Sequence, residues 1–142
     1  KYKKEFRSKK IAREHKLDTI AYKKVDLENS RVTGFRNMCM VQNIVYPTII
    51  HSHIKRSKYS DFDEKYDPKN ILILSSDIDT PFDKGDISFD DDGKIVFANN
   101  LSREFKDKLK TKRLNKAFID EKRLIYLKWN RENWFNKQNK HK

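Results

Sequence analysis

Cysteine is nearly absent: Cys39 stands alone in 142 residues, so neither an intramolecular disulfide nor a metal site built on several thiolates can form. A reducing, cytoplasmic compartment is the expectation, with Cys39 as a small buried hydrophobe. Long apolar runs are missing too. Nothing approaches the roughly 20 residues that a membrane helix requires, and no short apolar segment follows the basic N-terminus as a signal peptide demands. Core-forming residues are scarce, with 36% hydrophobic against 38% charged, yet nine Phe, six Tyr and two Trp exclude a wholly disordered chain. There is no internal repeat and no low-complexity linker. One modest core fits this length. Residues 1–30 read as a basic arm or helix, and residues 31–142 as the folded domain with C-terminal helices.

Acids are few at both ends of the chain. Residues 1–58 carry 15 Lys/Arg against 5 Asp/Glu, residues 59–93 carry 3 against 11, and residues 94–142 again carry 15 against 5, for a net charge of +12. Basic flanks suit a polyanion, because each neutralised phosphate releases counterions. The acidic centre would repel that polyanion unless a cation sits in it. The competing reading is that both features are solvated surface.

Local patterns place the elements. Lys1–Lys24 reads as a basic helix with an arm-like start. In "RVTGFRNMCMVQNIVYPTIIHSHI", Val41, Ile44, Val45, Ile49 and Ile50 predict a hairpin broken at "YP" and ending near His51 and His53. "KRSKYSDFDEKYDPKN" reads as a long surface loop, of the kind that usually has a function. "ILIL" predicts a short buried segment, followed by a helix with N-cap candidates Ser75, Ser76, Asp77 and Asp79 and a stop at Gly85. "DISFDDDGKIVFA" alternates on both sides of an Asp/Gly turn and predicts a second hairpin. A basic helix capped by Ser102 and an amphipathic helix through Leu124, Leu127, Arg131 and Trp134 complete the chain. Trp129, Trp134 and Phe135 are expected in the core.

Three features then converge: His53 at a strand end, Asn70 in the following loop, and Asp79 and Asp83 beyond it. This arrangement resembles the HNH, or ββα-metal, endonucleases. "CMVQNIVYPTIIHSHIKRS", "KYDPKNILIL", "FDKGDISFDDDGKI" and "YLKWNRENWF" resemble, in the same order, blocks of the restriction-type HNH nucleases. The likeness spans about Phe35 to Phe135 and leaves the N-terminal arm unmatched. It implies an α+β fold: a ββα-metal core with an additional β-hairpin and flanking basic helices.

The same resemblance implies roles. His53 would be the general base, Asn70 would tie the loop together, and Asp79 and Asp83 would hold one divalent metal, with Ser52 where many members carry an Asp or His ligand. The chemistry suits the residue types. Histidine titrates near neutral pH and can take a proton from water. A cation offsets charge growing on phosphate, and residues four apart share one helix face. Oxygen donors favour Mg²⁺ or Mn²⁺. Lys55, Arg56 and Lys58, which follow the strand directly, are the candidates for backbone phosphates, with His51 on the same strand face as His53. Plain alternatives stand beside these roles: an ordinary strand-end histidine, turn chemistry at Asn70, and two acids that merely complement a helix N-terminus around Pro81.

The implied activity is metal-dependent hydrolysis of duplex DNA in restriction or host defence, with a homodimer if both strands are cut symmetrically. The alternatives are an HNH-fold nucleic-acid binder impaired in cleavage, for which the hydroxyl at Ser52 argues, and a toxin-like RNA-binding factor. No membrane partner is expected.

Overall fold

Helix α1, Tyr2–Thr33, contains neither Pro nor Gly and is closed by Gly34, whose φ of 88° suits only a residue without Cβ. The computed structural model describes residues 2–140; Lys1, the first residue of the expected basic arm, lies outside them. The first half of α1 is largely exposed. Its last third is anchored: Ala21, Val25, Glu28 and Asn29, at steps of four, three and one, form one buried face. The expected division after residue 30 therefore falls inside a continuous helix whose end belongs to the core.

The centre is an antiparallel pair, β1 (Ile50–His53) and β2 (Ile71–Leu74), followed by helix α3 (Ser76–Lys84). The register sets Ile50 opposite Leu74, His51 opposite Ile73, Ser52 opposite Leu72 and His53 opposite Ile71. All four β2 residues are fully buried, which explains a continuous apolar run in place of alternation. The hairpin expected before His53 is corrected here. Residues 38 and 45 form only one isolated bridge, and β1 finds its partner beyond residue 70. The connection between the strands is not a bare loop either. It holds 3-10 turns at Ser57–Tyr59 and Pro68–Asn70 and the single-turn helix α2 (Phe62–Lys65), closed by a reciprocal Asp61–Glu64 capping box.

Ser75 stands at the N-cap of α3 and Gly85, with φ 77°, ends it. Strands β3 (Ile87–Phe89) and β4 (Ile95–Phe97) form the second expected hairpin, its turn held by the Asp90 carboxylate, which accepts from the Asp92 and Lys94 amides. Helix α4 (Arg103–Leu109) is capped by Ser102, which accepts from the Phe105 amide. Helix α5 (Glu121–Trp129) continues through a π-helical stretch, Asn130–Phe135, into α6 (Asn136–Gln138). The architecture is α+β, with ββα at its centre.

Candidate active site

His53 ends β1 with its Nε2 2.8 Å from the backbone carbonyl of Lys65. A carbonyl can only accept, so the proton of the neutral ring sits on Nε2, and Nδ1 keeps its lone pair. Asn70 sets the loop that supplies this carbonyl. Its buried side chain accepts from the Lys55 amide at 2.7 Å and donates to the carbonyls of Lys55 (3.1 Å) and Glu64 (3.0 Å), the residue before Lys65. Strand end, loop and ring orientation thus form one hydrogen-bonded unit.

The acids stand opposite on α3. Asp79 and Asp83 line a cavity of about 520 Å³ together with Ser52, His53, His51 and Arg56; Lys58, Tyr59 and Trp134 form another part of its wall. Asp79 bonds to Ser52, but its burial and the neighbouring Asp83 charge push its carboxyl above the ordinary range. Asp83 is paired: Arg56 Nη1 donates to Asp83 Oδ1 at 2.8 Å and to the Asp83 carbonyl at 2.8 Å. Pro81 lies inside α3 between them without displacing either acid from the cavity.

The cationic candidates separate. Lys55 holds Glu64 at 2.7 Å and lies outside the cavity wall, Arg56 holds Asp83, and Lys58 lies over the Tyr59 ring. His51 faces α1: its Nε2 lies 2.7 Å from Asp26, and its ring stacks on Tyr22 at 4.4 Å. Tyr22, Asp26 and Glu64 escaped the reading of the sequence, since their spacing to the site carries no periodic signal. Trp134 corrects the expectation of a core residue. It is half-buried, and its indole N–H donates to the Asp83 carbonyl at 3.0 Å.

The donors fit a hard divalent ion. Two carboxylates and a hydroxyl meet in one cavity, and one carboxylate already attracts a cation in the form of Arg56. Among the described residues no three His, Cys, Asp or Glu side chains form a ready cluster. Oxygen donors of this kind, two carboxylates and one hydroxyl, are those that a hard ion such as Mg²⁺ accepts beside its waters.

The family model for HNH endonucleases matches residues 32–90. Over this segment the chain is similar to the HNH endonucleases. The matched HNH segment runs from the end of α1 through β3, so it contains His53, Asn70, Asp79 and Asp83 and leaves Tyr22, Asp26 and Trp134 outside. No curated protein matches the chain. Among the described residues, no helix is long and apolar enough to cross a membrane.

Proposed function

We propose that the protein hydrolyses phosphodiester bonds of duplex DNA with one Mg²⁺ or Mn²⁺ ion, in restriction or host defence. The observation that carries the catalytic part is the Lys65 carbonyl on His53 Nε2, which leaves Nδ1 free to accept a proton at a cavity shared with Asp79, Asp83 and Ser52. His53 Nδ1 takes a proton from water as the oxygen attacks phosphorus, and the P–O bond to the leaving oxygen breaks. Asp79, Asp83 and Ser52 would hold the ion. Bound there, it offsets negative charge on the phosphate and on the leaving oxygen. Asn70 orders the loop that orients His53, and Arg56 and Lys58 face the strand that is cut, while His51, first expected beside them, is held against α1 by Asp26 and Tyr22. The Lys55 ammonium, committed to Glu64, holds the loop instead. The defence role rests on the likeness of the ordered sequence blocks to restriction-type members, and symmetric duplex cutting calls for a homodimer.

One observation favours a binder impaired in cleavage: Arg56 occupies Asp83. Supercoiled plasmid with Mg²⁺ or Mn²⁺ separates the readings. The wild type converts it to nicked or linear forms, and His53→Ala lowers the rate by about 10² to 10⁴ while still retarding the plasmid on a gel. Full cutting by His53→Ala overturns the assignment, and a wild type that retards without cutting selects the binder.

A further inference from the structure

Arg56 makes contacts that neither a surface cation nor a simple phosphate ligand needs. It leaves the chain three residues after His53, reaches α3, and donates to both the carboxylate and the carbonyl of Asp83. Its guanidinium also lies 4.1 Å from the centroid of the Trp134 ring, whose N–H donates to the same carbonyl. Helix α3 and the C-terminal π-helical segment thus hold one cation between them, in the wall of the cavity that contains Asp79 and Ser52.

This placement has an electrostatic purpose. Two carboxylates one helical turn apart repel each other when no divalent ion lies between them, and Arg56 neutralises one of the two. The pair is weak enough to exchange, because the Asp83 side chain is 62% exposed and that of Arg56 31%. A divalent ion competes for Asp83 Oδ1 and repels the guanidinium at the same time. Trp134 still offers its face, so the displaced group has somewhere to stay. Arginine suits this better than lysine, since a planar fork can stack and donate together. The neighbouring cations are unsuited to replace it: Lys55 is tied to Glu64, and Lys58 lies over Tyr59.

We propose that Arg56 is the resident counter-cation of the metal site: it holds Asp83 while the site is metal-free, yields that carboxylate to a divalent ion, and then presents its freed donors to a backbone phosphate. This rests on reading Asp79 and Asp83 as the metal pair. Metal entry and readiness for DNA become one event, because a single exchange fills the site and releases the phosphate ligand.

The test is Mn²⁺ binding by titration calorimetry and by metal-induced change in melting temperature, without DNA. Arg56→Gln removes the competitor and is expected to bind Mn²⁺ about tenfold tighter than wild type, through loss of both the pair and the charge repulsion. Arg56→Lys keeps the charge but loses the stack and the second donor, so it binds Mn²⁺ more tightly than wild type and less tightly than Arg56→Gln, and its comparison with wild type decides the matter if the glutamine variant is too unstable to titrate. With Mn²⁺ present, both variants bind duplex DNA more weakly than wild type. Equal or weaker Mn²⁺ affinity in both variants overturns the proposal and leaves Arg56 as a tie between β1 and α3. The combined Asp79→Asn, Asp83→Asn variant probes the underlying reading by itself: loss of Mn²⁺ binding supports the metal pair, and undiminished binding overturns that reading whatever Arg56 does.

Discussion

At Asp79 the fold works against its own carboxylate. Burial raises its pKa above the ordinary carboxylate range and the charge of Asp83 adds to this, while the Ser52 bond and Arg56 offset only part of the cost. The native state therefore holds this proton to higher pH than the unfolded chain does. Its favourable contribution is complete below the unfolded pKa and is lost as pH rises through the folded one. In chelator, Asp79→Asn is accordingly expected to melt higher than the parent at neutral pH, with the gap closing toward pH ~3.5, below the ordinary Asp pKa of about 3.9. The same variant needs more Mg²⁺ or Mn²⁺ for cleavage. A carboxylate that served only the α3 N-terminus would behave oppositely, with Asp79→Asn losing about 0.3 to 1 kcal/mol at neutral pH and metal dependence unchanged. Thermal melts in chelator across pH, run beside metal titrations of cleavage, distinguish the two.

Among the elements, α1 and α5 are locked together through a buried ion pair. Arg123 is fully buried and forked onto Glu28, with Nη2–Oε1 at 2.9 Å and Nη1–Oε2 at 3.0 Å, and it also donates to the carbonyls of Phe118, Ile71 and Pro68. Lys69 joins Glu28 to Asp120, the N-cap residue of α5. Burial alone would raise the Glu28 carboxyl, but Arg123 and Lys69 together hold it below the ordinary range. Its contribution is therefore present above the unfolded carboxylate pKa and disappears as pH falls through the lowered one. Arg123→Met is expected to cost up to about 3 to 5 kcal/mol in denaturant unfolding, because it removes the forked partner of a buried carboxylate and leaves Lys69 as the cation on Glu28. Replacing Glu28 as well should recover much of this loss. A loss under about 1 kcal/mol for Arg123→Met would mean that water reaches Glu28 freely. The Asp26–His51 contact and the Tyr22 stack come from the same third of α1, so the anchor of the helix also sets one wall of the candidate site.

Across the whole molecule, the acidic middle largely serves the fold. Asp61 and Glu64 cap α2, Asp67 accepts from Tyr126, and Asp90 holds the β3–β4 turn; Asp79 and Asp83 are the acids that face the cavity. The flanks differ: Lys9, Lys10, Arg13 and Lys16 of α1 are exposed. If the flanks meet DNA, log affinity falls linearly with log salt, by about 0.9 for each phosphate neutralised on a duplex. Replacing the four α1 cations with Gln lowers that slope by several units. An affinity that is flat from low to physiological salt would identify the flanks as solvated surface. This is measured with metal present and a non-cleavable duplex.

Local chemistry was legible without coordinates where neighbours in the chain decide the outcome. Gly85 ends α3 because left-handed backbone is a property of one turn, and the β3–β4 hairpin follows from alternation around an Asp/Gly turn; Ser75 holds the N-cap position, but its hydroxyl meets Gln42 and Cys39 and not a helix amide. The placement of His53, Asn70, Asp79 and Asp83 along the chain was visible through the HNH likeness, and their residue types already named the chemistry available to them. Tertiary structure alone decided which groups meet. Alternation tells a strand which face is apolar but not its partner, so β1 paired with β2, where the wholly apolar "ILIL" gains cover, and not with its nearer neighbour. The carbonyl on His53 Nε2, the guanidinium on Asp83 and the arginine buried against Glu28 join positions 12, 27 and 95 residues apart. Such contacts carry no period in sequence, because they arise only when hydrophobic burial has brought the elements together and the remaining polar groups must find partners.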